Sequence, residues 1–133
     1  MTGSGRARIY VNRWFAKFAS RESITHATLV AAIDQAERGL VDADLGGGLI
    51  KLRVSRIGGG KSGGYRTLVF FRHAERAVFA FGFAKSAKAN LDADELRTFK
   101  KAAKIVLALS EIQIADEVRA GRLIKVKDDA ENL

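Results

Sequence analysis

The stretch that decides the fold lies between residues 49 and 83. It reads Leu49-Ile50-Lys51-Leu52-Arg53-Val54-Ser55-Arg56-Ile57, then Gly58-Gly59-Gly60-Lys61-Ser62-Gly63-Gly64, then Tyr65-Arg66-Thr67-Leu68-Val69-Phe70-Phe71-Arg72, and after a short break Ala77-Val78-Phe79-Ala80-Phe81-Gly82-Phe83. In the first segment Ile50, Leu52 and Val54 alternate with Lys51, Arg53 and Ser55, the two-residue period of a half-buried strand. Tyr65 to Arg72 is a second strand candidate. Ala77 to Phe83 is apolar almost throughout, which marks a strand buried on both faces and central in its sheet. The connections are short, and short connections favour an antiparallel meander over parallel crossovers.

The glycine loop between the first two strands has two nucleotide-binding readings, and both fail on context. Gly58, Gly60 and Gly63 satisfy G-x-G-x-x-G, but that motif needs a following helix whose N-terminus faces a pyrophosphate. Here Tyr65 leads into a strand. Lys61-Ser62 resembles the end of a P-loop, but the required first glycine is Ser55. A hairpin loop remains, whose backbone N–H groups and Lys61 can approach a phosphate closely.

Outward from this core the signals are helical. Arg8 to Val11 reads as a short first strand. Asn12 is placed to cap a helix over 13–20 that carries Trp14, Phe15 and Phe18 on one side. Thr25 caps a second helix with Leu29, Ile33 and Ala36 at helical spacing. Gly39 supplies its left-handed stop, with Leu40 placed for the accompanying hydrophobic contact. Residues 42–48 read as a loop. Asp92 with Glu95, and Ser110 with Gln113, are capping boxes that open two further helices. The first runs to Leu109 with Leu96, Phe99, Ala103 and Val106 as its buried stripe. The second ends at Gly121. Residues 123–126 suggest a short extra strand, and 127–133 a flexible tail. The expected architecture is one α+β domain over 1–133, with its core over about 8–126.

Among the totals, charge is the informative one. Twenty-three Lys and Arg stand against fifteen Asp and Glu, for a net charge of +8 over 133 residues. Such a bias fits an anionic partner, whether nucleic acid, anionic lipid or acidic protein, and it also fits plain solubility. Between 51 and 104, thirteen basic residues face four acidic ones. Strand alternation places Lys51 and Arg53 on one sheet face about 7 Å apart. Arg66 lies on the neighbouring strand and Lys85 follows the third. Lys100, Lys101 and Lys104 look like the solvated side of a helix. There are no cysteines, so disulfides and thiolate metal sites are excluded and a cytoplasmic setting is expected. No apolar run of about 20 residues is present to span a bilayer, and nothing after Met1–Arg6 resembles a secretory signal. His26 and His73 lack ligand spacing. Asp42 and Asp44 form too small a set of oxygen donors to point to a metal. Most of Phe70, Phe71, Phe79, Phe81 and Phe83 are expected in the core, and Tyr65, at the loop edge beside Arg66, is the better base-stacking candidate.

In order and spacing, Ile50-Lys51-Leu52-Arg53, the glycine loop, Gly64-Tyr65-Arg66-Thr67 and Gly82-Phe83-Ala84-Lys85-Ser86 resemble the RelE/ParE toxin superfamily of bacterial toxin–antitoxin systems, and within it the HigB-like group of RelE toxins. The resemblance covers about residues 8–126. It implies a small antiparallel β-sheet with helices packed on one side. It also implies a ribosome-dependent mRNA endoribonuclease that inhibits translation and arrests growth, needing neither metal nor other cofactor. Its partners would be mRNA on the ribosome and a cognate antitoxin, a helix-turn-helix protein with an acidic toxin-binding segment. By position, Lys51, Arg53, Arg66 and Lys85 match the family's catalytic basic residues. Arg66 and Arg53 would stabilise charge on the phosphorane, and Lys51 or Lys85 would move a proton. Tyr65, Lys61, Arg56 and Lys88 are the candidate substrate contacts. The chain departs from the family at Ser86, where RelE has arginine, and at Leu91-Asp92, where no tyrosine is present. Lys88 is the candidate substitute for that arginine. Two other readings remain open on sequence: a ParE-like inhibitor of DNA gyrase, and a non-catalytic basic nucleic-acid-binding protein.

Overall fold

A computed structural model describes residues 6–55, 64–84 and 91–127. The elements, in chain order, are β1 (Arg8–Asn12), α1 (Arg13–Arg21), α2 (His26–Glu37), β2 (Ala43–Gly46), β3 (Leu49–Val54), β4 (Tyr65–Arg72), β5 (Arg76–Ala84), α3 (Ala93–Ala108), α4 (Glu111–Arg119) and β6 (Leu123–Lys125). The strands form one six-stranded sheet in the order β2-β3-β4-β5-β1-β6. The strands β2 to β5 are an antiparallel meander, as their short connections require, and β5 is central. Among the described residues the one parallel pair is β1 with β5, where the N-terminal strand inserts beside the last meander strand. An α+β chain built on a small, mainly antiparallel sheet is what the sequence led us to expect.

The two-residue period sorts the strands' side chains onto two faces, and each face carries its own core. Ile9, Val11, Ile50, Leu52, Val54, Tyr65, Val69 and Phe79 pack with Phe15, Phe18, Leu29 and Ile33 of α1 and α2. Tyr10, Leu49, Leu68, Phe70, Val78 and Ala80 pack with Ala103 and Leu107 of α3 and Ile114 of α4. The helices are thus divided between the two faces, where the family likeness suggested one side. The reason lies in β4 and β5, which carry large apolar residues at odd and even positions alike and so need cover on both faces.

Local chemistry explains the helix ends. Asn12 Oδ1 accepts from the Phe15 N–H at 2.8 Å, while Asn12 Nδ2 donates to the Ala80 carbonyl at 3.1 Å. One side chain therefore caps α1 and ties it to β5 just past the last β1–β5 pair. Thr25 caps α2, and both capping boxes form at Asp92/Glu95 and Ser110/Gln113. Gly39, at φ +82°, ends α2, with Leu40 N–H bonded to Gln35 O and Gly39 N–H to Ala36 O. The polar half of that stop is complete. The expected hydrophobic half is not, because Leu40 is 57% exposed.

Two segments differ from the sequence reading. Residues 42–48 are not all loop, since β2 pairs antiparallel with β3 and has an irregularity between Asp44 and Gly46. Gly48 suits its turn because its φ of +89° is a conformation that other residues rarely adopt, and a Cβ there would also press on the Leu107 side chain. The strand expected over 49–57 ends at Val54, and residues 56–63 lie outside the described residues. Among the described residues no helix is long and apolar enough to cross a membrane.

Candidate functional site

The C-terminal end of β3, the start of β4 and the end of β5 come together at one end of the sheet. There Val54 pairs with Tyr65 and Tyr65 with Ala84. One residue pair further in, Arg53, Arg66 and Phe83 stand in register across three adjacent strands. Neighbouring strands are about 4.8 Å apart, so Arg53 and Phe83 lie about 10 Å from each other. Lys51 is two residues from Arg53 and shares its face, the α3/α4 face of the sheet. Three of the four basic residues singled out from the sequence, Lys51, Arg53 and Arg66, are therefore brought together. Lys85, and with it Arg56, Lys61 and Lys88, lies outside the described residues.

Each of the three cations has a distinct setting. Arg53 is exposed and lies at the sheet edge, where it borders shallow depressions against Ala32 and Gln35 of α2. Lys51 is half-buried. Arg66 is the most enclosed, at 15% side-chain exposure, and its Nε lies 3.0 Å from Asp42 Oδ2. Asp42 gave the sequence no reason for notice beyond a weak oxygen-donor pair with Asp44. Its role is to hold the Arg66 guanidinium from across β3, and Asp44 instead accepts from the Gly46 N–H at 2.9 Å. The cations are thus not an uncompensated cluster. One internal carboxylate fixes the innermost of them, and the other two have no acidic partner among the described residues.

On α3, Lys101 and Lys104 are exposed, as the helical period required. Lys100 turns back toward the sheet, with its Nζ 3.6 Å from where a Cβ on Gly46 would stand. It therefore adds a fourth positive charge, on the side of β2.

Tyr65 is corrected by the structure. It is 3% exposed, packs edge-on against Phe18 at 5.5 Å between ring centroids, and donates from its hydroxyl to Glu22 Oε1 at 2.8 Å. It points into the α1/α2 core, opposite in parity to Arg66, and offers no free ring face to a base. The alternation that put Arg66 on the basic face required this placement.

Two arginines counted with the basic cluster serve the fold instead. Arg76, 6% exposed, donates to the Val106 and Leu109 carbonyls at 3.0 and 2.8 Å and to Glu111 Oε2 at 3.0 Å. Arg72 donates to the Leu107 carbonyl at 2.8 Å. Together they satisfy the last carbonyls of α3, groups that a helix cannot pair internally. No sequence signal marks this, because strand and helix end meet only in the folded chain. The histidines are also structural. His26 Nδ1 accepts from the Lys127 N–H at 3.0 Å, and His73 Nδ1 lies 2.7 Å from Glu37 Oε1. Among the described residues no cluster of three or more His, Asp and Glu is placed to hold a metal.

No curated protein matches the chain. Residues 7–126 match the family described as the RelE toxin of the RelE/RelB toxin–antitoxin system. The match begins just before β1 and ends just after β6, so it takes in every described strand and helix and the row of cations on β3 and β4, and the chain belongs to the RelE toxin family.

Proposed function

We propose that this toxin is a ribosome-dependent endoribonuclease of mRNA, and that its site is the basic end of the sheet at Lys51, Arg53 and Arg66. The observation that carries the reading is the registered Arg53–Arg66 pair with Lys51 on the same face, one member held by Asp42. A cation already fixed in place, as Arg66 is by Asp42, needs little reorganisation when negative charge develops beside it. The substrate's 2′-oxygen attacks the adjacent phosphorus, giving up its proton, and the bond from phosphorus to the 5′-oxygen breaks. The products are a 2′,3′-cyclic phosphate and a 5′-hydroxyl, the latter formed by proton transfer to the leaving oxygen. Arg66 and Arg53 stabilise the extra charge on the phosphorane oxygens. Lys51 is the described candidate for the proton-transfer group. Lys85, the residue that follows β5 in the chain, is the alternative.

The order of the Ile50–Arg53, Gly64–Thr67 and Gly82–Ser86 segments supports placement in the HigB-like branch, with a helix-turn-helix antitoxin as partner and the cytoplasm as site of action. The family match, which is to RelE, supports the ribonuclease over the gyrase reading. The test is to map mRNA 5′ ends after adding the purified chain to a translation reaction with and without ribosomes. Cuts at fixed codon positions, present only with ribosomes, are expected. Equal cutting of naked RNA, or intact mRNA in both reactions, would overturn the proposal.

A further inference from the structure

The chain's single tryptophan does not sit where its neighbours do. Phe15 and Phe18 of α1 are buried, at 0% and 5% exposure, while Trp14 on the same helix is 42% exposed. Its ring is nonetheless fixed from behind. It stacks on Phe18 at 5.4 Å between centroids with 16° between planes, and meets Phe81 at 4.5 Å. Phe81 in turn contacts Phe99 of α3 at 5.5 Å and Phe83 at 6.1 Å. A ring packed on its inner side and open on its outer side presents a preformed aromatic face.

Its position makes that partner specific. The pairing of β1 with β5 stops at Val11–Phe79, so among the described residues the segment of β5 beyond it has no strand neighbour on the β1 side. Trp14 stands over this open edge. Phe81 links it to Phe83, and Phe83 is the registered neighbour of Arg66. Across three strands the order is Arg53, Arg66, Phe83, from cations to a ring, and Phe81, two residues back along β5, joins Phe83 to Trp14. The helix carrying Trp14 has the same character. Arg13, Lys17 and Arg21 recur every four residues, with no acidic residue anywhere in α1. At about 100° per residue these three span about 80° of the helix, and Trp14 falls between them and the buried arc. Arg13 and Lys17 are exposed and have no acidic partner among the described residues.

We infer that Trp14 is a stacking platform for an unpaired nucleobase of a single-stranded RNA whose phosphates lie on the cations of the sheet and of α1. The inference rests on the reading of the sheet end as an RNA site and extends it to a part of the molecule with no role in the chemistry. Rings that take a base face and cations that take the backbone are the two components of sequence-tolerant single-strand binding.

The test uses the full chain, since Trp14 is its only tryptophan and reports on itself. The probe is an uncleavable 2′-O-methyl octanucleotide, beside an abasic oligomer of the same length and charge. The octanucleotide is expected to quench Trp14 fluorescence, and the abasic oligomer to bind without quenching. In anisotropy titrations, Trp14→Ala should weaken octanucleotide binding at least about fivefold, and Trp14→Phe should retain most of it. Binding of the octanucleotide without quenching, equal quenching by both oligomers, or no binding at all would overturn the stacking assignment. The wild-type quenching result stands even if Trp14→Ala fails to fold. It is also independent of cleavage. Quenching by a chain that cuts no mRNA refutes only the enzymatic reading, and cutting without quenching refutes only this one.

Discussion

Arg66 on β4 and Asp42 before β2 form an ion pair across the intervening strand β3, Nε to Oδ2 at 3.0 Å. The pair is partly exposed, and such pairs contribute only about 0–1 kcal/mol to stability. Its consequence is therefore positional, because it aims a guanidinium at the sheet face that carries Lys51 and Arg53. Arg66→Ala should leave the fold intact and slow ribosome-dependent cleavage at least about a hundredfold, the usual loss for a charge-stabilising donor. Asp42→Asn should keep the cation but loosen it, and cost about tenfold or less. A rate assay on ribosome-bound mRNA, paired with thermal melting of each variant, decides this. Normal cleavage by Arg66→Ala would remove Arg66 from the site.

Arg76 gives the opposite expectation. Its guanidinium serves two α3 carbonyls and Glu111 while almost wholly buried. Removing a donor and leaving its buried acceptors unpaired costs about 1–3 kcal/mol. Arg76→Ala should lower the urea midpoint accordingly, with the cleavage rate per folded molecule unchanged. A variant of native stability but impaired cleavage would contradict the structural role.

Gly82 is a packing constraint. A Cβ at this position would stand 2.6 Å from Phe18 Cε2, in a ring already wedged between Trp14, Phe15 and Tyr65. The ring has no free direction in which to retreat, so Gly82→Ala should destabilise by about 1–3 kcal/mol. Because Phe18 backs Trp14, the same variant should also alter tryptophan emission in the native state. Urea unfolding followed by that emission reads both effects, and an unchanged midpoint would show that the α1 packing is more yielding than described.

Tyr10 predicts an alkaline limit. Burial, chiefly, and then the nearby Glu111 carboxylate raise its phenol above the ordinary value of 10.0. A phenol whose folded pKa is raised contributes stability that is fully present below its unfolded pKa and lost as pH rises through the folded one. Tyr10→Phe should therefore flatten the fall in melting temperature above about pH 10 relative to the parent chain. Parallel melting curves for the two proteins across this range would refute the account.

The sequence by itself determined the local elements and the chemistry available to them. Asn12, Thr25, Asp92 with Glu95, and Ser110 with Gln113 start helices through bonds within a few residues, so their effect is legible in order along the chain. Alternation in β3 likewise settled that Lys51 and Arg53 share a face. Contacts between segments far apart in the chain were decided only in the tertiary structure. Both sheet faces are covered by helices because β4 and β5 are apolar on both sides, yet periodicity does not say which helix goes where. Arg66 and Arg76 read alike as basic strand residues. The first meets one carboxylate at an open sheet end, and the second is enclosed against the carbonyls of α3. For the same reason Tyr65, expected at the loop edge as a stacking ring, is buried against α1, while Trp14, grouped by the sequence with Phe15 and Phe18, stays partly exposed. A ring is available to a ligand only if no distant part of the chain packs on its outer face, and only the completed fold specifies that.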